Sequence, residues 1–520
     1  MRLTRRASLR TLTQTALALA LAPWAHAIQA PAAGRRWRHN PFALGVACGR
    51  PEPQVLVLWT RLLVQEEDRQ SVGDDPLTVT LEVFADEGLR RRVHTQTLAT
   101  NAARAHSVHA VVSGLRPATD YWYRFRQGTA QSRVGHARTA PAPEASVRAL
   151  RFALASCQHY EQGEYTAHEA MAGEDLDFVL FVGDYIYENS NAQYALRPHN
   201  LPEAVTLAQY RERYALYKRD PFLQASHAAH PWVLMWDDHE VVNDYANDQD
   251  MRHTDPARVL QRRAAAYQAY FEHQPLRIGP EPHAPAHMRL HAQFPWGRLA
   301  EIWTLDCRQY RSPQACRDPV RGGGRMITQC DERLAPERSM LGAAQEDWLS
   351  AGLRASTRPW QLLAQSTQIS STRIPAPIDW AYWNDAWDGY PEARRRLLQT
   401  VHDLGRRSVV TLGGDVHMNV AANLRLEPND PNAPIVASEF VTTSITSRGM
   451  GERALNLIRE SNPDIRHARA DERGYSRFLL TADQLRCDFQ TTAFPAGSQA
   501  GFRTQASFGV LRDQPGVRSL

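Results

Sequence analysis

The sequence predicts a small all-β unit followed by a larger α/β unit. Three observations predict it. Short β-branched and aromatic runs recur at regular spacing over residues 38–139. Beyond about residue 150 the pattern becomes isolated apolar bursts separated by long, partly helical stretches. Several of those bursts run directly into a carboxylate, thiol, imidazole or guanidinium group. At 520 residues the chain has room for three domains of about 150 residues, or two if one is large. A hydrophobic content of 43% and a charged content of 22% are those of a globular protein and exclude disordered and fibrous classes.

Residues 1–27 read as an export signal. Arg2, Arg5, Arg6 and Arg10 precede an apolar run from Thr15 to Trp24 and the small-x-small site Ala25-His26-Ala27. The run is shorter than the ~20 residues a membrane span needs, so no transmembrane segment is expected. Thr4-Arg5-Arg6-Ala7-Ser8-Leu9 resembles a twin-arginine signal. That resemblance implies passage of the folded protein through the twin-arginine translocase to the periplasm or beyond. The four arginines account for the formal net charge of +4, leaving the mature chain near neutrality. A stable nucleic-acid complex, which needs a basic footprint, is therefore not expected. Export permits disulfides. Of six cysteines, Cys316 and Cys330 flank an irregular Gly/Arg-rich segment and are the expected pair; the state of Cys48, Cys307 and Cys487 stays open.

The β unit is read from Val55–Trp59, Leu77–Val83, His106–Val112 and Tyr121–Phe125, at sandwich-like spacing. Leu115-Arg116-Pro117-Ala118-Thr119-Asp120-Tyr121 resembles the corner of fibronectin type III domains, where a tyrosine hydroxyl bonds back to nearby backbone. Residues 140–150, which begin Ala-Pro-Ala-Pro, are read as a linker, and the α/β unit as 151–515.

In that unit Phe152–Ser156 leads into Cys157, Phe178–Gly183 into Asp184, and Trp232–Trp236 into Asp237 and Asp238. Ile302–Leu305 leads into Asp306 and Arg308, and Ser408–Gly414 into Asp415 with His417 two residues on. Open α/β sheets bind ligands at the carboxyl ends of their strands. One such residue could be a capping Asp or a buried His. Five together would repel one another unless cations held them. Tyr187 lies three residues after Asp184, so one loop turn can aim both at a single ion. Carboxylate, phenolate and thiolate together suit Fe(III); the more oxygen-rich neighbouring site suits Ca²⁺ or a smaller divalent ion.

The ordered set Ser156-Cys157-Gln158, Gly183-Asp184-Tyr185-Ile186-Tyr187-Glu188, Trp236-Asp237-Asp238-His239-Glu240, Leu305-Asp306-Cys307-Arg308-Gln309-Tyr310-Arg311 and Gly413-Gly414-Asp415-Val416-His417 resembles the alkaline phosphatase D family. That family belongs to the calcineurin-like metallophosphoesterases and is similar at its iron site to purple acid phosphatases. The resemblance implies a four-layer α/β/β/α catalytic domain holding Fe(III) beside one or two Ca²⁺ ions. It implies Cys157, Asp184, Tyr187 and His417 as iron ligands, with Asp184 bridging to a calcium site completed by Asp238 and Asp415. Asp237 and Asn243 are lesser ligand candidates. Ser-Cys-Gln replaces the Asp-x-His that opens most of the superfamily, and Cys307 stands where relatives usually carry a non-thiol residue.

The expected reaction is attack of a metal-bound hydroxide on a phosphate mono- or diester. Arg308 is read either as the cation holding equatorial phosphoryl charge or as a structural ion pair. His239 is read as stabilising the transition state or protonating the leaving oxygen, or as structural. The aromatic-rich stretch 380–391 reads as a loop outside the site, and Tyr475–Thr481 with Leu485–Phe489 as a closing, structural strand pair. Two rivals stand beside this reading: a phospholipase D-like enzyme acting on lipid headgroups, and a secreted binding protein with a decayed catalytic domain.

Overall fold

The computed structural model describes residues 36–72, 75–191, 193 and 195–520; the export signal expected at 1–27 lies outside the described residues. Two seven-stranded sheets dominate. The first runs Trp232–Met235, Phe178–Val182, Ala149–Ala155, Glu472–Thr481, Gln484–Ala493, Arg503–Leu511 and Gln514–Ser519 in spatial order. The second runs Ala292–Trp296, Ala300–Thr304, Trp360–Ala364, Val409–Gly413, Ile435–Val441, Asn419–Arg425 and Ile465–Arg469.

The burial pattern follows the two-residue period of a strand. Phe152 and Leu154 enter a core shared with Ile302, Leu362, Val410 and Phe440 of the second sheet. Their neighbours Ala153 and Ala155 instead meet Met171, Tyr210, Tyr214 and Tyr267 from helices Thr166–Ala172, Leu207–Lys218 and Pro256–His273. On the second sheet Trp303, Leu363 and Val409 pack against Leu349, Leu353, Leu397 and Val401 of helices Ala343–Ala355 and Pro391–Asp403. The helices begin where the sequence caps them: Asp255 accepts from Ala257 N–H ahead of Pro256, and Thr206 forms a reciprocal capping box with Gln209.

The topology puts function at one edge. Ala149–Ala155, Phe178–Val182 and Trp232–Met235 are parallel neighbours, as are Ala300–Thr304, Trp360–Ala364, Val409–Gly413 and Ile435–Val441. The closing strand Glu472–Thr481 pairs antiparallel with Ala149–Ala155, so the expected terminal pair is built into the first sheet. Two further strands follow it, and both lie outside the sequence reading.

Near the N-terminus a three-stranded and a five-stranded sheet share one core of Leu56, Leu58, Val79, Leu81, Val112, Tyr121 and Phe125. The Tyr121 hydroxyl accepts from the Arg116 N–H at 3.0 Å. Strand Arg92–Thr100 was not read from sequence, because its inner face is only half-buried. This unit rests on helix Pro256–His273 and the residue after it: Trp59 Nε1–H donates to Glu272 O, and His109 stacks on Phe271 at 4.3 Å. Cys316 and Cys330 form the expected disulfide, and Cys48, Cys157, Cys307 and Cys487 are buried free thiols.

Stretch 380–391 departs from its reading as a loop. Trp380–Trp383 is a strand between Ile374–Pro375 and Met326–Ile327, because bulky alternating side chains favour pairing over coil.

The centre of the shared core supplies a stability test. The Phe152 ring lies 4.7 Å from Phe478 and 5.5 Å from Phe178. Phe152→Ala is expected to lower the unfolding free energy by ~3–5 kcal/mol in urea titration, whereas truncating the exposed Val93 is expected to leave it within ~0.5 kcal/mol.

Candidate metal centre

Three parallel strands, Ala149–Ala155, Phe178–Val182 and Val409–Gly413, end in sharp turns at the carboxyl edge. Cys157, Asp184, Asp415 and His417 all adopt left-handed backbone, with φ of 58°, 58°, 64° and 54°. Non-glycine residues enter this region at a cost of about 1–2 kcal/mol each. Four such residues at one edge mark a site rather than ordinary turns. Close backbone approach makes room for them. A Cβ on Gly183 would come within 2.6 Å of Asp237 Cβ, and one on Gly414 within 2.6 Å of Ser156 Oγ. Glu240 pins the loops by accepting N–H groups of Asp184, Tyr185 and Asp237 at 3.1, 2.5 and 2.8 Å.

The ligand atoms converge in two groups. One joins Cys157, Asp184 and His417, the other Asp184, Asp238 and His239, and the atoms within each lie within 4.8 Å of one another. Asp184 belongs to both. The Tyr187 hydroxyl donates to Asp184 Oδ2 at 2.9 Å and sits 3.3 Å from His417 Nε2. Asp415 lies outside both groups and accepts the Thr367 hydroxyl at 2.7 Å. His417 Nδ1 is bound to the Arg448 carbonyl at 2.8 Å, which leaves Nε2 as the ligand atom.

Burial pushes Asp184 well above the ordinary carboxylate range, with Asp238, Asp237 and Glu240 adding to it against the pull of His239. Burial likewise raises Asp415, helped by Asp237. Burial raises the Cys157 thiol and then Asp184 adds to it; the Tyr187 phenol rises for the same reasons, with Cys157 contributing. Burial lowers His417 to about 4, so its imidazole is neutral and free to ligate. Burial thus favours the protonated forms of Asp184, Asp415, Cys157 and Tyr187, and a bound cation would displace those protons. Asp238 Oδ1 is buried without a hydrogen-bond partner, as an acceptor waiting for a positive ion would be. The donor set thus fits metal ions.

His239 and Glu188 form a pair at the cleft, with Nδ1–H donating to Oε2 at 2.6 Å. Burial works against a charged His239, but Glu188, Asp184 and Asp238 outweigh it and hold the imidazole well above its usual range. A cleft of about 1020 Å³ opens over this edge, lined by Tyr187, His239, Asn243, His417 and Ser447 among others.

Arg308 does not reach that cleft, and its reading as a phosphate-holding cation is corrected. It is 1% exposed. Its guanidinium grips both oxygens of Asp237 at 2.6 and 3.2 Å and donates to Asp385 at 2.9 Å. It also stands 3.6 Å from Asp238. Its role is the structural one: it neutralises carboxylates from behind. Asp237, a lesser ligand candidate, has both oxygens bonded to Arg308. Asn243 stays at the cleft, where its N–H donates to Glu188 at 3.0 Å. Sequence reasoning missed Glu240 and Asp385. Glu240 was visible in the Asp-Asp-His-Glu run, whereas nothing local marks Asp385, 77 residues from Arg308. A third grouping, His159 with Glu161 and His199, is closed to cations, since His199 Nδ1 accepts from Arg213 at 3.0 Å.

Strand tips carrying thiol, phenol, carboxylate and imidazole around a shared Asp define a metal-dependent phosphoesterase. Residues 152–489 match the PhoD-like phosphatase family, and residues 27–141 match its N-terminal domain. Alkaline phosphatase D of Bacillus subtilis (strain 168) is 42% identical over 488 residues, covering 92% of this chain and 82% of its own. A solved structure described as that of PhoD superposes with a TM-score of 0.88 at 40% identity, covering 94% of this chain and 93% of the other. The chain belongs to the PhoD-like phosphatase family, whose members hydrolyse phosphoric esters.

The raised carboxyls give a signed pH test. In metal-free protein the folded state keeps protons on Asp184 and Asp415 that the unfolded chain releases above roughly pH 4, so stability falls as pH rises. Bound cations remove that loss. Chelation is expected to lower Tm by ~5–10 °C more at pH 8 than at pH 5, measured by scanning calorimetry. An equal shift at both would show that the carboxyls do not need cations.

Proposed function

We propose that this chain is an exported phosphoesterase acting on phosphate mono- or diesters at an Fe(III)–Ca²⁺ centre. The observation that carries the reading is the convergence of Cys157, Asp184 and His417, with Tyr187 bonded to both Asp184 and His417. Thiolate and phenolate on one ion favour Fe(III). Asp184 would be shared with one or two Ca²⁺ ions that Asp238 and Asp415 would help to hold, hard oxygens favouring that cation. When bound, the ions supply Lewis acidity and lower the pKa of a water.

The chain's own residues do the rest. His239, fixed by Glu188, presents its remaining N–H to the leaving oxygen or to the charge that grows on the phosphoryl group. Arg308 acts one layer back, holding Asp237 and Asp385 so that Asp238 stays aimed at the edge. Buried walls limit water access to the ligand side of the cleft.

The finer architecture belongs to the same reading. Two sheets that share one core and meet helices on their other faces support a four-layer α/β/β/α catalytic domain over 151–515. The Tyr121 corner supports a fibronectin type III-like sandwich over 38–139, with 140–150 as the linker. The Arg5-Arg6 signal supports export through the twin-arginine translocase to the periplasm or beyond. Among the described residues no helix is long and apolar enough to cross a membrane.

Two measurements test this. On a panel of p-nitrophenyl phosphate, bis-p-nitrophenyl phosphate and phosphatidylcholine, the wild type is expected to cleave the first two faster. Asp184→Asn is expected to lose at least ~10³-fold in kcat by removing the bridge. Preference for phosphatidylcholine would favour the phospholipase D-like reading, and an unimpaired Asp184→Asn would misplace the centre. The pure protein is also expected to show a visible phenolate-to-Fe(III) absorption band that Tyr187→Phe abolishes. A colourless protein containing only zinc would overturn the iron assignment.

A further inference from the structure

We propose that His159 is a further substrate-contacting residue, donating from Nε2–H to a phosphoryl oxygen; this rests on the metal-centre reading above. His159 lines the same cleft as Tyr187, His239 and His417, although it is only 5% exposed. Its tautomer is set by the fold. The Glu161 N–H donates to His159 Nδ1 at 3.3 Å, so Nδ1 must offer its lone pair. A neutral imidazole then carries its proton on Nε2. Nε2 makes no hydrogen bond among the described residues.

The ring is held in place from several directions. Its backbone N–H donates to Ser447 Oγ at 3.3 Å, and its carbonyl accepts the Thr446 hydroxyl at 2.8 Å. Its ring lies 4.3 Å from that of Tyr187 and nearly parallel to His199 at 5.4 Å. The Tyr187 ring also touches His239, at 4.1 Å. The His159 and His239 imidazoles are thus both registered against the Tyr187 ring, each with its backbone-distal nitrogen available.

The alternative use of His159, as part of a cation site with Glu161 and His199, fails on partners. The Glu161 oxygens accept N–H groups of His199 and Asn191 and the Ser190 hydroxyl. The buried Arg213 guanidinium already donates to His199. What remains of His159 is one preorganised N–H donor on a ring that lines the cleft. A neutral N–H adds a hydrogen bond to an anionic oxygen without adding charge beside the metal ions, which complements the cationic His239.

The test uses the purified full chain with its metals, p-nitrophenyl phosphate as substrate and inorganic phosphate as inhibitor. His159→Ala is expected to lower kcat/KM by ~10- to 100-fold and to weaken phosphate inhibition by about 10-fold, with iron and calcium content unchanged. His159→Gln, which returns an amide N–H to the same place, is expected to recover to within about 5-fold of wild type. Unchanged kinetics in His159→Ala would overturn the proposal. So would a glutamine variant as impaired as the alanine one, or loss of metal together with activity. A wild type that holds its metals yet cleaves no phosphoester would instead overturn the metal-centre reading.

Discussion

The structure depends on unbalanced negative charge gathered at one sheet edge. Asp184, Asp237, Asp238, Asp385 and Asp415 are brought together with Cys157 and Tyr187, most of them nearly water-free. Two like charges 4 Å apart repel by about 4 kcal/mol even at an effective dielectric near 20. The chain supplies two counterweights, Arg308 and the cationic His239. Arg308 sits behind the edge and satisfies Asp237 and Asp385 directly. His239 faces Asp184 and Asp238 from the cleft side and Arg308 stands 3.6 Å from Asp238 Oδ1, yet Asp184 and Asp415 stay well above the ordinary carboxylate range, so their remaining balance comes from protons or from ions.

That division explains why the edge is strained and why the strain persists. Left-handed turns at Cys157, Asp184, Asp415 and His417 swing their side chains inward, where regular strand exits would leave them diverging. The two sheets hold those turns rigid through a common apolar core, and Glu240 ties three backbone N–H groups to one carboxylate. Ser447, in the loop after strand Ile435–Val441, performs a similar task, donating to the Tyr187 hydroxyl at 2.7 Å. The cleft chemistry is therefore carried by short turns anchored directly to the strand ends of two packed sheets.

Much of this was legible in the sequence because burial and chemistry alternate there on a short scale. Five apolar bursts, each ending in a reactive side chain, announced the strand tips, and the candidate ligands Cys157, Asp184, Asp238 and His417, which the structure brings into two overlapping groups, followed from them. The Cys316–Cys330 pair was legible from the irregular segment it closes. Arg308 stayed between two readings because its partners are remote in sequence: the ion pair with Asp385 exists only once strand Trp380–Trp383 is in place. His159 carried no signal at all, since its tautomer is fixed by the backbone of the short helix Tyr160–Gln162. Strand Arg92–Thr100 escaped because alternate exposure admits polar residues on both faces.

The central claim is that cations complete this edge. An anomalous-scattering map recorded at the iron absorption edge, from crystals of fully active protein, tests it most directly. The account predicts one peak within bonding distance of Cys157 Sγ, Asp184, Tyr187 Oη and His417 Nε2. Active crystals with no metal density at that point would contradict it.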